Sequence, residues 1–361
     1  MGYSMFVSGL THLDEARASR GYTVYSGMSG DAVYLIDMSG NVVHQWPAPA
    51  GTRVFYGNLL PNGNLLANCT NGIELGEPAG PRTAVVAELD WQGKCVWYYV
   101  NSLLHHAHCR LANGNTMVLA TDVLSEEQTR RVLQVGAQAP VASPIWSEAL
   151  WEVTPAGEIA WEWRAIDHLD PAEYVLRSQE PGRPGAAGVN ASGAREWLHL
   201  NAVEELPDGD LLLSFNTLST VIIVDRVTGA VRWRAAPETS GQHNPTWLDD
   251  GKVLLFDNGS RRGYSRVIEI DRASNEVAWE YTARPRDSFY SMNISGAQRL
   301  PNRNTLITEG RSGRLFEVTS DGDTVWEYIN PFEFSHRGQR SRSVFRAYRY
   351  APDSPEIRNR I

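Results

Sequence analysis

Residues 241–259 read GQHNPTWLDDGKVLLFDNG. In this stretch a histidine is followed five positions later by a leucine, then by a tight turn and a hydrophobic strand. The same unit recurs as VFYGNLLPNGNLLA, HHAHCRLANGNTMVLA, HLNAVEELPDGDLLLSF and NISGAQRLPNRNTLITEG. The position five before the leucine, here named the repeat slot, holds Phe55, His106, Asn201, His243 and Ser295. Because the leucine is constant while the repeat slot varies, the pattern indicates a repeated scaffold that carries a site.

A second repeat alternates with the first. Its six copies are AVYLIDMSGNVVHQW, VVAELDWQGKCVWYY, ALWEVTPAGEIAWEW, VIIVDRVTGAVRWRA, VIEIDRASNEVAWEY and LFEVTSDGDTVWEYI. Two apolar segments around an Asp/Gly or Asn turn are typical of a β-hairpin. Five copies place a tryptophan four residues after the turn, and His44 takes that place in the first copy, which predicts a packing role for His44. Together the repeats give four strands per unit at a period of about 45–50 residues, which predicts an all-β, six-bladed β-propeller.

The repeats run from about residue 22 to about residue 331, so we expect a single propeller domain over residues 1–361. Residues 1–20 form an N-terminal arm in this interpretation. The first blade supplies only about three strands, and the segment SVFRAYRYAP, which begins at Ser343, is predicted to add its innermost strand. Residues 332–361 would therefore close the propeller and remove an exposed sheet edge.

Two segments interrupt the period, residues 122–148 and 165–196. The first is predicted to hold a short helix, and the dipeptide Asp170-Pro171 predicts a helix start in the second. Insertions in repeat folds lie on one face and often cover the binding site. We therefore expect lid-like insertions, with residues 165–196 over the mouth of the channel, and an ordinary surface loop is the alternative.

Composition excludes several classes of partner. The formal net charge of −9 disfavours binding to nucleic acid or to an anionic membrane, and no apolar run is long enough to span a bilayer. The N-terminus lacks a basic region followed by an apolar core, which predicts a cytoplasmic protein, although a processed precursor could have lost a signal peptide and be periplasmic. Three cysteines are too few for a disulfide framework and favour reduced thiols.

The histidines point to a site in the central channel. His106, Asn201 and His243 occupy the repeat slot in three consecutive blades, and His105 and His199 lie one and two positions before it. The innermost strand of each blade lines the channel of a propeller, so we expect these side chains to converge. Clustered imidazoles suit a covalent nucleophile, a general acid and base, or a metal site, and the residues alone do not choose among these.

These motifs resemble those of the arylsulfotransferase family of six-bladed propellers. The stretches that carry the resemblance are AVYLIDMSGNVVHQW, HHAHCRLANGN, HLNAVEELPDGDLLLSF, GQHNPTWLDDGKVLLFDNG, RLFEVTSDGDTVWEYINP and FRAYRY. The resemblance implies that the family's transient sulfohistidine falls on His243. It implies phenol-handling roles for His106 and His199, with Asn201 nearby.

Two positions depart from the family's pattern. Asn216 stands where the family has an arginine that binds the sulfuryl group, and Ala107 stands where the family has an acid after two histidines. Stabilising a sulfuryl group in transfer requires positive charge or several donors. Arg261, Arg262 or Arg346 could supply that charge.

The sequence therefore predicts an arylsulfotransferase-like enzyme that acts on a small aromatic substrate through His243, His199 and His106. Two alternatives remain: a lyase or hydrolase that uses His/Tyr acid-base chemistry with or without a metal ion, and a non-catalytic ligand-binding propeller. No cofactor is required by the first reading, and a metal ion is left open. Predicted substrate-binding residues are Asn201, His105, Asn216, Tyr56, Tyr290, Ser295 and Arg261.

Overall fold

The computed structural model describes residues 7–71, 85–138, 141, 144–175, 196–336 and 339–361. Its strands form six sheets of four or five strands each, together with one two-stranded hairpin. The predicted six-bladed β-propeller is thus confirmed. The elements follow in chain order.

The N-terminal arm contributes β1 (Gly9–Leu13). Blade one continues with β2 (Tyr22–Gly27), β3 (Ala32–Ile36) and β4 (Val42–Pro47). Blade two has β5 (Thr52–Leu59), β6 (Leu65–Asn71), β7 (Val85–Leu89) and β8 (Cys95–Val100). Blade three has β9 (Leu104–Arg110), β10 (Thr116–Val123), β11 (Trp146–Val153) and β12 (Ile159–Arg164), with helix α1 (Glu126–Leu133) between its second and third strands and helix α2 (Ala165–His168) after its last.

Blade four has β13 (Leu200–Glu205), β14 (Leu211–Phe215), β15 (Thr220–Val224) and β16 (Val231–Arg234). Blade five has β17 (His243–Trp247), β18 (Lys252–Asp257), β19 (Arg266–Asp271) and β20 (Glu276–Tyr281), followed by a 3-10 turn at Arg286–Ser288. Blade six has β21 (Gly296–Arg299), β22 (Thr305–Glu309), β23 (Arg314–Val318) and β24 (Thr324–Ile329). A hairpin of β25 (Phe334–His336) and β26 (Gln339–Ser341) precedes the last strand, β27 (Val344–Tyr350).

The two ends of the chain pair with different blades. β27 pairs antiparallel with β2, with Tyr350 opposite Tyr22 and Val344 opposite Gly27, so it is the innermost strand of blade one. The N-terminal strand β1 pairs with β24 instead and becomes a fifth strand on the outer edge of blade six. This pairing was not expected from the sequence, because the arm lies outside both repeats.

The insertions differ in part from their predictions. Helix α1 lies in residues 122–148 as predicted, and Ser125 caps its first turn in a capping box with Gln128. The helix start predicted at Asp170-Pro171 is wrong as far as the structure describes this segment: residues 171–173 form a turn, and the helical residues are those of α2, just before it. Residues 176–195, most of the predicted lid, lie outside the described residues.

The tryptophan slot of the second repeat joins neighbouring blades. The indole N–H groups of Trp97, Trp279 and Trp326 donate to carbonyl oxygens in the outer hairpin turn of the next blade, at Pro155, Ser320 and Met38. His44 makes the equivalent contact: its Nε2 lies 2.8 Å from the carbonyl oxygen of Trp91, and its ring stacks on that indole. His44 therefore packs between blades one and two.

A second set of contacts between blades is ionic. A glutamate on the third strand of one blade pairs with an arginine on the innermost strand of the next: Glu88 with Arg110, Glu269 with Arg299, and Glu317 with Arg349. The Glu317–Arg349 pair is fully buried and links blade six to β27. Arg349 also donates to the hydroxyl of Thr23 and to the carbonyl of Ser19, so one guanidinium holds β27, β2 and the N-terminal arm together.

We expect Arg349→Met to destabilise the protein by about 3–5 kcal/mol, because the substitution leaves the Glu317 carboxylate buried without its partner. The free energy of unfolding in urea measures this change. Adding Glu317→Gln to the variant removes the orphaned charge and should recover part of the loss.

Arg340→Met is the matched control, since the Arg340 side chain is 88% exposed and should change stability by no more than about 0.5 kcal/mol. An Arg349→Met protein as stable as the parent would show that β27 is held in place by its backbone pairing alone.

Candidate active site at the entrance of the channel

The repeat slot coincides with a bulge in the innermost strands. The pairing register shifts at Phe55 in β5, at Asn201 in β13, and after His105 in β9 and His243 in β17. A bulge leaves a residue outside the ladder and redirects its side chain. His106 and His199 also have left-handed backbone conformations, with φ of 47° and 57°. Strained backbone of this kind clusters at functional sites, and here it brings histidines from three blades together.

His105 and His106 form a chain of imidazoles that ends on a carboxylate. The Nδ1 atoms of the two rings lie 3.0 Å apart, and Nε2 of His105 lies 2.8 Å from Oε2 of Glu148 on β11. Burial raises the pKa of Glu148, and burial together with the charges of His199 and His105 holds the pKa of His106 well below its ordinary value. His106 is therefore neutral at neutral pH, with its orientation set by His105.

His199 has the opposite electrostatic setting. Its ring lies 4.6 Å, centroid to centroid, from that of His106, and its Nδ1 lies 2.8 Å from Oε2 of Glu196. Burial works against protonation, but the charge and hydrogen bond of Glu196 outweigh it and raise the pKa of His199 to about 9. His199 is thus an imidazolium at neutral pH. Its side chain is 26% exposed, more than that of any other histidine in the cluster.

His243, at the start of β17, is 3% exposed and neutral. Burial lowers its pKa to about 3, and the charges of His199 and Arg346 act in the same direction. Its Nδ1 lies 2.7 Å from Oδ1 of Asn258 and 3.0 Å from the carbonyl oxygen of Gly241. Both partners accept, since the Asn258 amide nitrogen donates to Ser291 and Ile294 carbonyls, so the proton of His243 lies on Nδ1. The lone pair on Nε2 accepts one long hydrogen bond, 3.2 Å, from the Ile294 amide.

Arg346 on β27 brings a cation to the same cluster. Its Nη2 donates to the carbonyl oxygen of Asn201 at 2.8 Å, and its guanidinium lies over the rings of Tyr56 and Phe345. The charge of Arg346 contributes to the low pKa values of His106, His108 and His243. Of the three arginines expected to compensate for Asn216, this is the one that faces the histidines.

Aromatic side chains form one wall of the site. Phe345 contacts Phe55, Tyr56 and His106, with ring centroids 4.3, 5.2 and 6.4 Å away. Tyr56 stacks on His108 at 5.0 Å, and its hydroxyl oxygen accepts from the His108 amide. Burial raises the pKa of Tyr56 well above its ordinary value, so its hydroxyl stays protonated. The wall is therefore neutral and apolar, with the Arg346 charge above it.

The predicted substrate-binding residues fall into two groups. Asn201 and Asn216 hold the backbone just before His243: Asn201 donates to the carbonyl of Gln242, and Asn216 donates to the carbonyl of Gly241. Ser295 is buried and bonds to Ser291, which stabilises the segment that bears Ile294. Tyr290 and Arg261 lie further out.

Tyr290 and Arg261 make their contacts away from the histidines. The Tyr290 amide donates to Glu309 of blade six. Arg261 is exposed beside Ser219, on the rim between blades four and five. Arg262 pairs with Asp257.

Sequence reasoning missed the two carboxylates of the site. Glu148 is the last residue of the first insertion, residues 122–148, and Glu196 is the last residue of the second, residues 165–196. Neither residue therefore has a counterpart in the repeats. A parallel bridge between Trp146 and Glu196 brings them to adjacent places. Glu148 contacts His105, whereas Ala107 brings no acid to the pair of histidines. Asn258 could have been found, because it directly follows β18 in the defining stretch, FDNG, in the same unit as His243.

Three features of the described residues bear on a metal site, a membrane span and the state of the cysteines. Within the described ranges, no group of three or more His, Cys, Asp or Glu side chains is arranged to hold a metal ion. None of the helices that the structure describes has the length and apolar character needed to cross a bilayer. Cys69, Cys95 and Cys109 are free thiols.

Comparisons with known proteins add a family and a fold. A family model described as Arylsulfotransferase (ASST) matches residues 86–331. No curated protein matches the sequence. Among solved structures, a protein of unknown function from Bacteroides caccae is 13% identical with a TM-score of 0.57, and the match covers 91% of this chain and 98% of that one. A streptogramin B lyase is 12% identical with a TM-score of 0.49, over 92% and 84% of the two chains. At these identities the likeness shows the propeller fold alone.

We expect Glu196→Gln to abolish the elevated pKa of His199, because the carboxylate charge that outweighs burial is removed. Titration of the His199 ring followed by NMR measures the shift, and Glu173→Gln, at an exposed carboxylate of the same insertion, is the control. A His199 that still titrates near pH 9 would contradict the assignment.

The same pair makes stability depend on pH. The folded pKa of His199 is above its unfolded value of 6.5, so the pair's contribution is fully present below pH 6.5 and is lost as pH rises through about 9. Glu196, whose pKa is lowered from 4.5, loses its share as pH falls below that value. The stability difference between parent and Glu196→Gln should therefore be largest between pH 4.5 and 6.5.

Proposed function

The chain belongs to the arylsulfotransferase family, and from this membership we propose that it transfers a sulfuryl group between aromatic hydroxyl compounds through His243. The observation that carries the proposal is a neutral imidazole close to two positively charged side chains. His243 is a neutral imidazole with its lone pair on Nε2, while His199 and Arg346, close enough to shift its pKa, are cations. A neutral nucleophile facing positive charge suits attack on an anionic ester.

In the first step, Nε2 of His243 attacks the sulfur of an aryl sulfate. The N–S bond forms as the bond from sulfur to the aryl oxygen breaks, and the electron pair leaves with the phenolate oxygen. His199, protonated through its pairing with Glu196, donates its proton to that oxygen. The Nδ1–H of His243 keeps donating its hydrogen bond to Asn258 Oδ1, and this bond stabilises the positive charge that develops on the ring.

In the second step, the neutral His199 takes the proton of an acceptor phenol, and the phenol oxygen attacks sulfur. The N–S bond breaks, its electron pair returns to Nε2, and His199 is again an imidazolium. One residue thus serves as acid and then as base. His106, held neutral, is available to hydrogen-bond the phenol oxygen beside His199.

The backbone supports the intermediate of this scheme. Once Nε2 is bonded to sulfur it no longer accepts a hydrogen bond, and the Ile294 N–H that now caps it is released. That N–H then points at the sulfuryl oxygens, in the manner of an oxyanion-hole donor. Ile294 and Ser295 have φ of 54° and 88°, and Asn258 holds the Ile294 carbonyl, so the segment is locked in this unusual conformation.

The aromatic wall supports the choice of substrate class. Phe345 contacts both Tyr56 and His106, and Phe345 and Tyr56, each 1% exposed, make this side of the site apolar. Because the burial-raised pKa of Tyr56 keeps its hydroxyl neutral, this wall does not repel a phenolate.

We expect His243→Asn to abolish turnover of 4-nitrophenyl sulfate with a phenol acceptor, since loss of an acid/base group alone costs about 10²- to 10⁴-fold and the nucleophile should cost at least as much. The melting temperature should barely move. Intact-mass measurement after exposure to the donor should show a sulfuryl adduct on the parent and none on the variant.

The matched control is His44→Trp, which should keep full activity because tryptophan fills that slot in the other blades and can donate to the Trp91 carbonyl as His44 does. Turnover without an adduct would favour the lyase or hydrolase alternative, and retained ligand without turnover the binding alternative. Near-normal turnover by His243→Asn would refute the proposal.

A further inference from the structure

Arg346 is a buried charge without an ion pair. The residue is 5% exposed, and in the described part of the chain no carboxylate lies within ion-pair distance of its guanidinium. Its hydrogen-bond and ring partners are neutral: the Asn201 carbonyl, the Tyr348 hydroxyl and the faces of two aromatic rings. At longer range its charge acts on the buried Glu204 carboxyl, whose pKa burial raises to about 7. Its Nε has no hydrogen-bond partner among the described residues.

Such an arrangement is costly for the folded protein. A guanidinium is always charged, and burying it without an opposite charge forfeits its hydration. The neighbouring arginine on the same strand shows the usual solution, because Arg349, three residues further along β27, pairs with Glu317. The free-energy cost of burying the Arg346 guanidinium indicates that this side chain is retained to bind an anionic ligand.

The surroundings of Arg346 identify where that ligand would lie. Its guanidinium lies over the ring of Phe345, which contacts the ring of His106, and it donates to the carbonyl of Asn201 in the innermost strand of blade four. Its charge contributes to the low pKa values of His106 and His243. Asn216, at the position where the family resemblance puts an arginine, is neutral and donates its amide to Gly241. The site therefore lacks an arginine on blade four and has one on β27.

We propose that Arg346, carried in by the C-terminal strand, binds the tetrahedral oxyanion of the group transferred to His243 and so replaces the arginine absent from blade four. The inference rests on the proposed function and specifies its substrate as an anionic aryl monoester. A guanidinium offers a planar fork of donors that matches two oxygens of such a group. The unpaired Nε is one of those donors.

The test compares Arg346→Gln, Arg346→Lys and the surface control Arg340→Gln. Thermal unfolding is measured at rising concentrations of sodium sulfate, and kcat/KM with 4-nitrophenyl sulfate. In the parent and the control, stabilisation by sulfate should saturate. Arg346→Gln should lose the saturable part and lose about 10²- to 10³-fold in kcat/KM, as removal of one oxyanion donor does. Arg346→Lys should lose less.

Two readouts separate binding from a structural role. Without sulfate, Arg346→Gln should melt no lower than the parent, because a buried unpaired charge has been removed. Adding Asn216→Arg to Arg346→Gln should restore at least tenfold of the lost kcat/KM by placing an arginine on blade four. Repeating the melts with inorganic phosphate, and the kinetics with 4-nitrophenyl phosphate, shows which oxyanion the site prefers.

Undiminished saturable stabilisation by sulfate in Arg346→Gln would overturn the inference, as would a lower melting temperature without sulfate and no rescue by Asn216→Arg. The anion-binding measurement needs no turnover. A parent protein that forms no adduct on His243 but binds sulfate through Arg346 would refute the proposed function and keep only the oxyanion-binding role of Arg346. A sulfuryl adduct that forms on His243 equally well in Arg346→Gln would support the proposed function and refute the inference.

Discussion

The pairing of β27 with β2 is the contact on which both the fold and the site depend. The first blade supplies three strands of its own, and its innermost strand comes from the other end of the chain. The buried Arg349–Glu317 pair joins that strand to blade six. The same strand carries Phe345 and Arg346 into the channel entrance, so the backbone ladder that completes blade one also delivers an aromatic face and a cation to the histidines.

The site combines residues from the repeats with residues from the two insertions. The pairing register of the innermost strands shifts at or next to the repeat slot in blades three, four and five, where His106, Asn201 and His243 lie. The carboxylates beside the histidines come from segments outside the repeats, Glu148 and Glu196. The repeats therefore supply the positions of His106 and His243, while the insertions supply the carboxylates that contact His105 and His199.

Those electrostatics separate the histidines into distinct chemical states within one cluster. Burial without a carboxylate leaves His243 and His106 neutral, and burial beside Glu196 makes His199 an imidazolium. Pairs of titratable groups whose environments push their pKa values apart are typical of acid/base assignments. The low-dielectric setting that keeps His243 neutral also strengthens electrostatic interactions with nearby cations.

The sequence by itself determined the six-bladed fold, because strand alternation and turn residues are local properties that repeat with a fixed period. It also determined that His106, Asn201 and His243 share one structural position, and that His44 replaces a packing tryptophan. It did not reveal the pairing of β1 with blade six, the carboxylates beside His105 and His199, or which arginine faces the cluster. Those contacts join residues up to hundreds of positions apart, and they depend on how blades and insertions pack. Periodicity carries no information about residues outside the period, so only the tertiary structure decided the charge states of His106, His199 and His243.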